Sequence, residues 1–271
     1  MANLNAFETS NWKQLPMQQR IEALQGLENT MAAKQGRAPR TITPDKNMPG
    51  ARRGQYSPSE PDKLRVNADL IKSDKGNYQA MQTTIHEGRH AYQDDCIQGK
   101  AKPLPQDRSK AESWTHNMPG RGGVYNTDGV NYRYQPVEAD ANSYAKGEMN
   151  GLSSQYGRDS AYVEFSAARD QNDRRTECYA KMQYGENYEQ RIRQDIDKRY
   201  QSKAQQQTTP QQQARPQQAA PPQQAADKTA VAESKGSGSS QSGTPSAAPE
   251  KSRPQSQVKS VQAHSRGGQS R

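Results

Sequence analysis

The segment TTIHEGRHAYQ, residues 83–93, decides how this sequence is read. His86 and His90 stand four residues apart, and Glu87 follows the first. On an α-helix four residues make about one turn, so side chains at this spacing share a face and two imidazoles can converge on one ion. Zinc accepts such nitrogens at about 2.0–2.1 Å. Glu87 is turned about 100° away from His86. That sets its carboxylate beside the ion rather than on it, where it can take a proton from the water the ion activates. This is the H-E-x-x-H arrangement of zinc peptidases. The bland alternative is a surface helix with two solvated histidines. Against it, Met81, Ile85, Gly88 and Tyr92 recur at i, i+4, i+7 and i+11, which predicts a helix over 77–98 with a buried stripe.

A catalytic zinc keeps three protein ligands and one open position. Downstream of the histidines the candidates for the third are Glu112, His116, Asp128, Glu138 and Asp140. Glu138 is favoured over Asp140 and His116. It begins VEADANSYAKGEM (137–149), which follows Pro136 and reads as a helix whose other face carries Ala141, Tyr144 and Ala145. Its plain reading is an acid favoured by the dipole at a helix N-terminus. Asn142, one turn on, is placed to hydrogen-bond a ligating histidine. For a developing oxyanion the available donors are Tyr125, Tyr132, Tyr134 and Arg89. His116 reads as a packed histidine rather than an acid.

HEGRH followed by EADANSYA resembles the metallopeptidases of the ImmA/IrrE type. Their H-E-x-x-H helix is followed by one of the form E-x-x-A-N-x-[FY]-A, matched here by Glu138, Ala141, Asn142, Tyr144 and Ala145. The ordered set HEGRHAYQ (86–93), W-x-x-N (114–117), a Tyr-rich segment (125–134) and QP-x-E-x-DA (135–141) is similar to zincin domains of bacterial polymorphic toxins and mobile-element proteins. The likeness spans roughly residues 15–150. It implies a gluzincin-like zinc endopeptidase with Glu138 as third ligand, a protein or peptide as substrate, and a toxin, effector or mobile-element role. In zincins a sheet-edge strand above the site pairs with extended substrate; KLRVN (63–67) is the candidate.

Around this centre, LPMQQRIEALQGLENTMAAKQG (15–36) reads as a helix with Gly36 as its stop. Residues 37–53 are rich in turn formers. GQYS (54–57) and KLRVN alternate apolar and polar, as a hairpin or two short neighbouring strands. Two more helices are expected near 160–170 and 174–200. The fold class is therefore α+β: a zincin-like domain with a small antiparallel sheet over 1–150, a helical extension over 151–200, and a tail.

That tail, 201–271, lacks any aromatic residue, Leu, Ile or Met. It cannot bury enough to offset chain entropy, so disorder is expected. It carries nine Lys/Arg and three Asp/Glu, a net +6 of the chain's +9. A basic, unstructured segment can contact nucleic acid, an alternative role for a mobile-element factor, or serve as a signal read by secretion machinery. A catalytically inactive zincin-fold binding protein is a further alternative, but keeping Glu87 between the histidines argues against it. The first residues, MANLNAFETSNWKQLP, show no Sec-type pattern, so cytoplasmic synthesis is expected, with export only by a signal-independent route. No apolar stretch approaches a membrane span. Cys96 and Cys178 read as reduced thiols. Oligomeric state is not readable from the sequence.

Overall fold

The structure is a computed structural model and describes residues 3–49 and 52–208. Its elements run in this order: α1 Thr9–Trp12, α2 Met17–Gln35, β1 Thr41–Asp45, β2 Gly54–Tyr56, β3 Lys63–Asn67, α3 Ala68–Lys72, α4 Asn77–Ile97, α5 Ala111–Asn117, α6 Gly129–Tyr134, α7 Pro136–Gly151, α8 Ser153–Tyr156, α9 Ser160–Tyr184 and α10 Tyr188–Thr208. The fold is α+β: mostly helical, with one three-stranded sheet in the order β1-β3-β2.

Local chemistry explains the main boundaries. Pro16 stands just before α2, and Gly36 ends it at φ 66°, a left-handed conformation costly for any residue with a Cβ. Pro136 is the first residue of α7, where its missing N–H removes nothing from the helix ladder.

Helix α4 is the axis of the molecule. It packs on α2, α3, α5, α7, α9 and strands β2 and β3. The expected apolar stripe is there, since Met81, Ile85 and Tyr92 are fully buried. Yet burial runs almost all the way round, taking in Glu87, Arg89, His90, Gln93, Asp94 and Asp95. Those polar groups are paired. Arg40 grips Asp95 with both of its carboxylate oxygens at 2.6 Å, and Arg121 holds Asp94. Gly88 lets the buried Arg37–Glu28 ion pair press on the helix. A Cβ there would lie 2.8 Å from both Arg37 Nη2 and Glu28 Oε2.

The sheet corrects three expectations. It is mixed, not antiparallel: β1 runs parallel to β3, and β2 antiparallel to it. Strand β1 lies in the segment read as turns, because Thr41–Asp45 holds Pro44 and has Pro39, Asn47 and Pro49 around it. An edge strand tolerates this proline. The Ile42 N–H faces outward to Gln25 Oε1 of α2, so Pro44, two residues on, lacks its N–H on that same outer side. The third correction concerns KLRVN. As β3 it is the central strand, so the edge strand next to the site is β2.

The C-terminal helices also differ from expectation. Residues 160–184 form one helix, broken from the next at Gly185, not near 172. Helix α10 then continues to Thr208. The rest of the tail read as disordered, and its expected contacts with nucleic acid or secretion machinery, lie outside the described residues. Among the described residues no helix is long and apolar enough to cross a membrane.

Candidate metal centre

Helix α4 brings His86 and His90 to one face, and α7 lies against that face with Glu138 in its first turn. The two Nε2 atoms are 3.1 Å apart. Glu138 Oε2 lies 3.3 Å from His86 Nε2, and Glu138 Oε1 lies 3.2 Å from His90 Nε2. Two ligands bound at 2.0–2.1 Å to a tetrahedral ion stand roughly 3.3 Å apart, so these separations fit one cation. Glu138 is almost fully buried, and its Oε2 accepts no hydrogen bond from the protein. An ionised, buried oxygen left without a donor is costly, and a cation would satisfy it. Two imidazoles and a carboxylate are a donor set suited to zinc.

Electrostatics bind the three together. Burial alone would lower the His90 pKa, but the Glu138 carboxylate overrides it and raises it to about 9. Burial would likewise raise the Glu138 pKa, and the two histidines reverse this and hold it well below the ordinary carboxylate value.

Glu87 sits beside the cluster, not in it. Its Oε2 accepts the Tyr56 N–H at 2.8 Å, which fastens it to strand β2. Gly54 makes that approach possible. A Cβ there would meet Thr83 Cγ2 at 2.4 Å and Glu87 Cγ at 2.9 Å. The strand's direction can be read from its bonds. Arg53 O accepts from Asn67 N, so residues 53 and 55 turn their main-chain groups toward β3. Gly54 and Tyr56 therefore turn theirs to the open edge. Tyr56 spends its N–H on Glu87, while the Gly54 N–H and C=O and the Tyr56 C=O face outward.

Two adjoining cavities, of about 530 and 650 Å³, meet at this point. Both are lined by Gly54, His86, Glu87, Tyr132 and Glu138. One continues past Asn142 to α9, and the other past His90 and Tyr125 to Pro119.

The remaining expectations resolve residue by residue. Tyr132 lines both cavities, packed edge-on to Tyr125 with ring centres 6.0 Å apart. Burial and then the Glu138 and Glu87 charges raise its pKa, keeping it a protonated donor. Tyr134 does not line either cavity; it packs against Tyr188 of α10. Asn142 lines the first cavity, but the partner of His90 is Gln93. Arg89 is no oxyanion donor, because it is buried and pairs with Asp107 and Asp140. That pairing also removes Asp140 as a ligand. His116 is paired with Asp197 and stacked on Tyr200, beside α10. Glu112 and Asp128 are not part of the cluster.

Several contributing residues were named in the sequence without the roles they take. The Tyr125 hydroxyl, expected only as an oxyanion donor, donates to Glu138 Oε1 at 2.6 Å. Asn117 is buried and ties three strands of chain together. Its amide donates to Val124 O and Gln135 Oε1, and its Oδ1 accepts the Val137 N–H. Gln135 in turn bonds both main-chain groups of Asn126. The W-x-x-N and QP-x-E segments thus fasten the Tyr125 loop to the start of α7. Their order along the chain was the only signal available.

Compared with known protein families, with curated proteins and with solved structures, the chain matches none.

Proposed function

We propose that this chain is a zinc-dependent endopeptidase. His86, His90 and Glu138 would hold the ion, which when bound polarises a carbonyl and lowers the pKa of water. The protein's own residues supply the rest. Glu87, steadied through Oε2 by the Tyr56 N–H, lines both cavities. It acts as the general base that takes a proton from the attacking water and returns it to the leaving amine. The open edge at Gly54 offers a donor and an acceptor to an extended peptide, which adds as a further strand. Tyr132 is the donor available to the developing oxyanion.

The observation that carries this reading is the buried Glu138 carboxylate, with Oε2 3.3 Å from His86 Nε2 and Oε1 3.2 Å from His90 Nε2, a second carboxylate at Glu87 and a cleft over both. Elemental analysis of the purified protein should find one zinc per chain, lost in His90→Ala. Glu87→Gln should keep the zinc and cut hydrolysis of an unfolded protein such as casein by about 10²–10⁴-fold. Hydrolysis at the parent rate in Glu87→Gln would overturn the enzymatic assignment.

A further inference from the structure

Gln93 is fully buried and stands one turn beyond His90 on α4. Its amide orientation is fixed by its neighbours. Nε2 lies 3.0 Å from Val137 O and 2.8 Å from Asp140 Oδ2, both acceptors only. The nitrogen must face them, so Oε1 faces His90 Nδ1 at 2.9 Å and accepts its proton. Asp140 is itself immobilised. Arg89 grips both its oxygens and Lys110 adds a third contact. With two cations on its oxygens, it serves Gln93 as an acceptor.

From this geometry we infer that Gln93 is a positioning residue with two linked tasks. It fixes His90 as the Nδ1–H tautomer, leaving the Nε2 lone pair for a metal. It also ties α4 to α7 at residues 137 and 140, on either side of Glu138, and so sets the reach from the histidine pair to the third ligand. The path Arg89–Asp140–Gln93–His90 is continuous and buried. It makes the ligand geometry a property of the folded core before any ion arrives. This inference rests on the zinc reading, and its test separates the two.

The experiment is zinc titration of the full chain against a competing chromophoric chelator, with NMR detection of the His90 Nδ1–H in the zinc-loaded protein. Gln93→Leu removes the acceptor and the tie together. It is expected to weaken zinc binding about 10–100-fold and to let the Nδ1–H exchange rapidly with solvent. Gln93→Glu keeps an oxygen toward Nδ1 but loses the donor to Val137 O and Asp140, so it separates the first task from the second, and a parent-like circular dichroism spectrum shows that each variant folds. The Glu variant should retain the slowly exchanging Nδ1–H and bind zinc more tightly than the Leu variant. Parent-like affinity and Nδ1–H protection in Gln93→Leu would overturn the inference. So would equal losses of affinity and protection in the Glu and Leu variants. A parent chain that takes up no zinc would instead overturn the functional reading itself.

Discussion

With Glu138 beside it, His90 holds a proton up to about pH 9 when no cation is bound. A metal entering at pH 7 must displace that proton, since only the unprotonated nitrogen is a ligand. Zinc uptake at neutral pH is therefore expected to release a proton and to tighten as pH rises toward 9. Calorimetry in buffers of different ionisation enthalpy checks this, and a binding enthalpy independent of buffer would contradict it. At this scale the three residues that cluster in the fold, His86, His90 and Glu138, were all singled out from the sequence. The i, i+4 pair is local, and Glu138 could be placed because it opens a second helix. Gln93 and Asp140 could not be read in the same way. Their roles depend on a contact between residues 47 apart in the chain, which no periodicity encodes.

Strand β2 and helix α4 touch closely enough that Gly54 has no room for a methyl group. Gly54→Ala must push either the strand or Glu87 aside. The expected cost is about 1–3 kcal/mol of stability, as for other overpacked sites, read by urea denaturation. On the proposed reading a larger fractional loss of hydrolysis than of stability is expected, because the displaced atoms belong to the proposed base. Wild-type stability and activity in this variant would show that the strand does not position Glu87. The same contact shows why element-level reading was uneven. Helices α2, α4 and α7 declared themselves through spacing, proline and glycine. Strands β2 and β3 did so through alternation, but β1 did not, because it is an edge strand whose outer N–H is satisfied by a helix side chain, so it could hold a proline and look like a turn.

Across the whole molecule, the core contains carboxylates kept ionised by buried or half-buried cations. Burial opposes ionisation of Asp94 and Asp140, but Arg121 for the first and Arg89 for the second hold both below their ordinary values. Depressed folded-state values stabilise the protein above the unfolded carboxylate pKa of about 3.9, and this contribution is lost as pH falls through the lower folded values. Cooperative unfolding is expected on acidification below about pH 4, followed by circular dichroism, with Asp94→Asn flattening the dependence and lowering stability at pH 7. An acid-insensitive fold would remove this account of the core. The cleft lies on the surface of that charged core and does not stop at the cluster of His86, His90 and Glu138. It extends on both sides of the cluster, past Asn142 one way and past Tyr125 the other, and on the proposed reading holds substrate on either side of the cut bond. Cuts in a long unfolded protein should thus fall at interior positions, yielding a ladder of mid-sized fragments from the earliest times instead of single residues trimmed from a terminus.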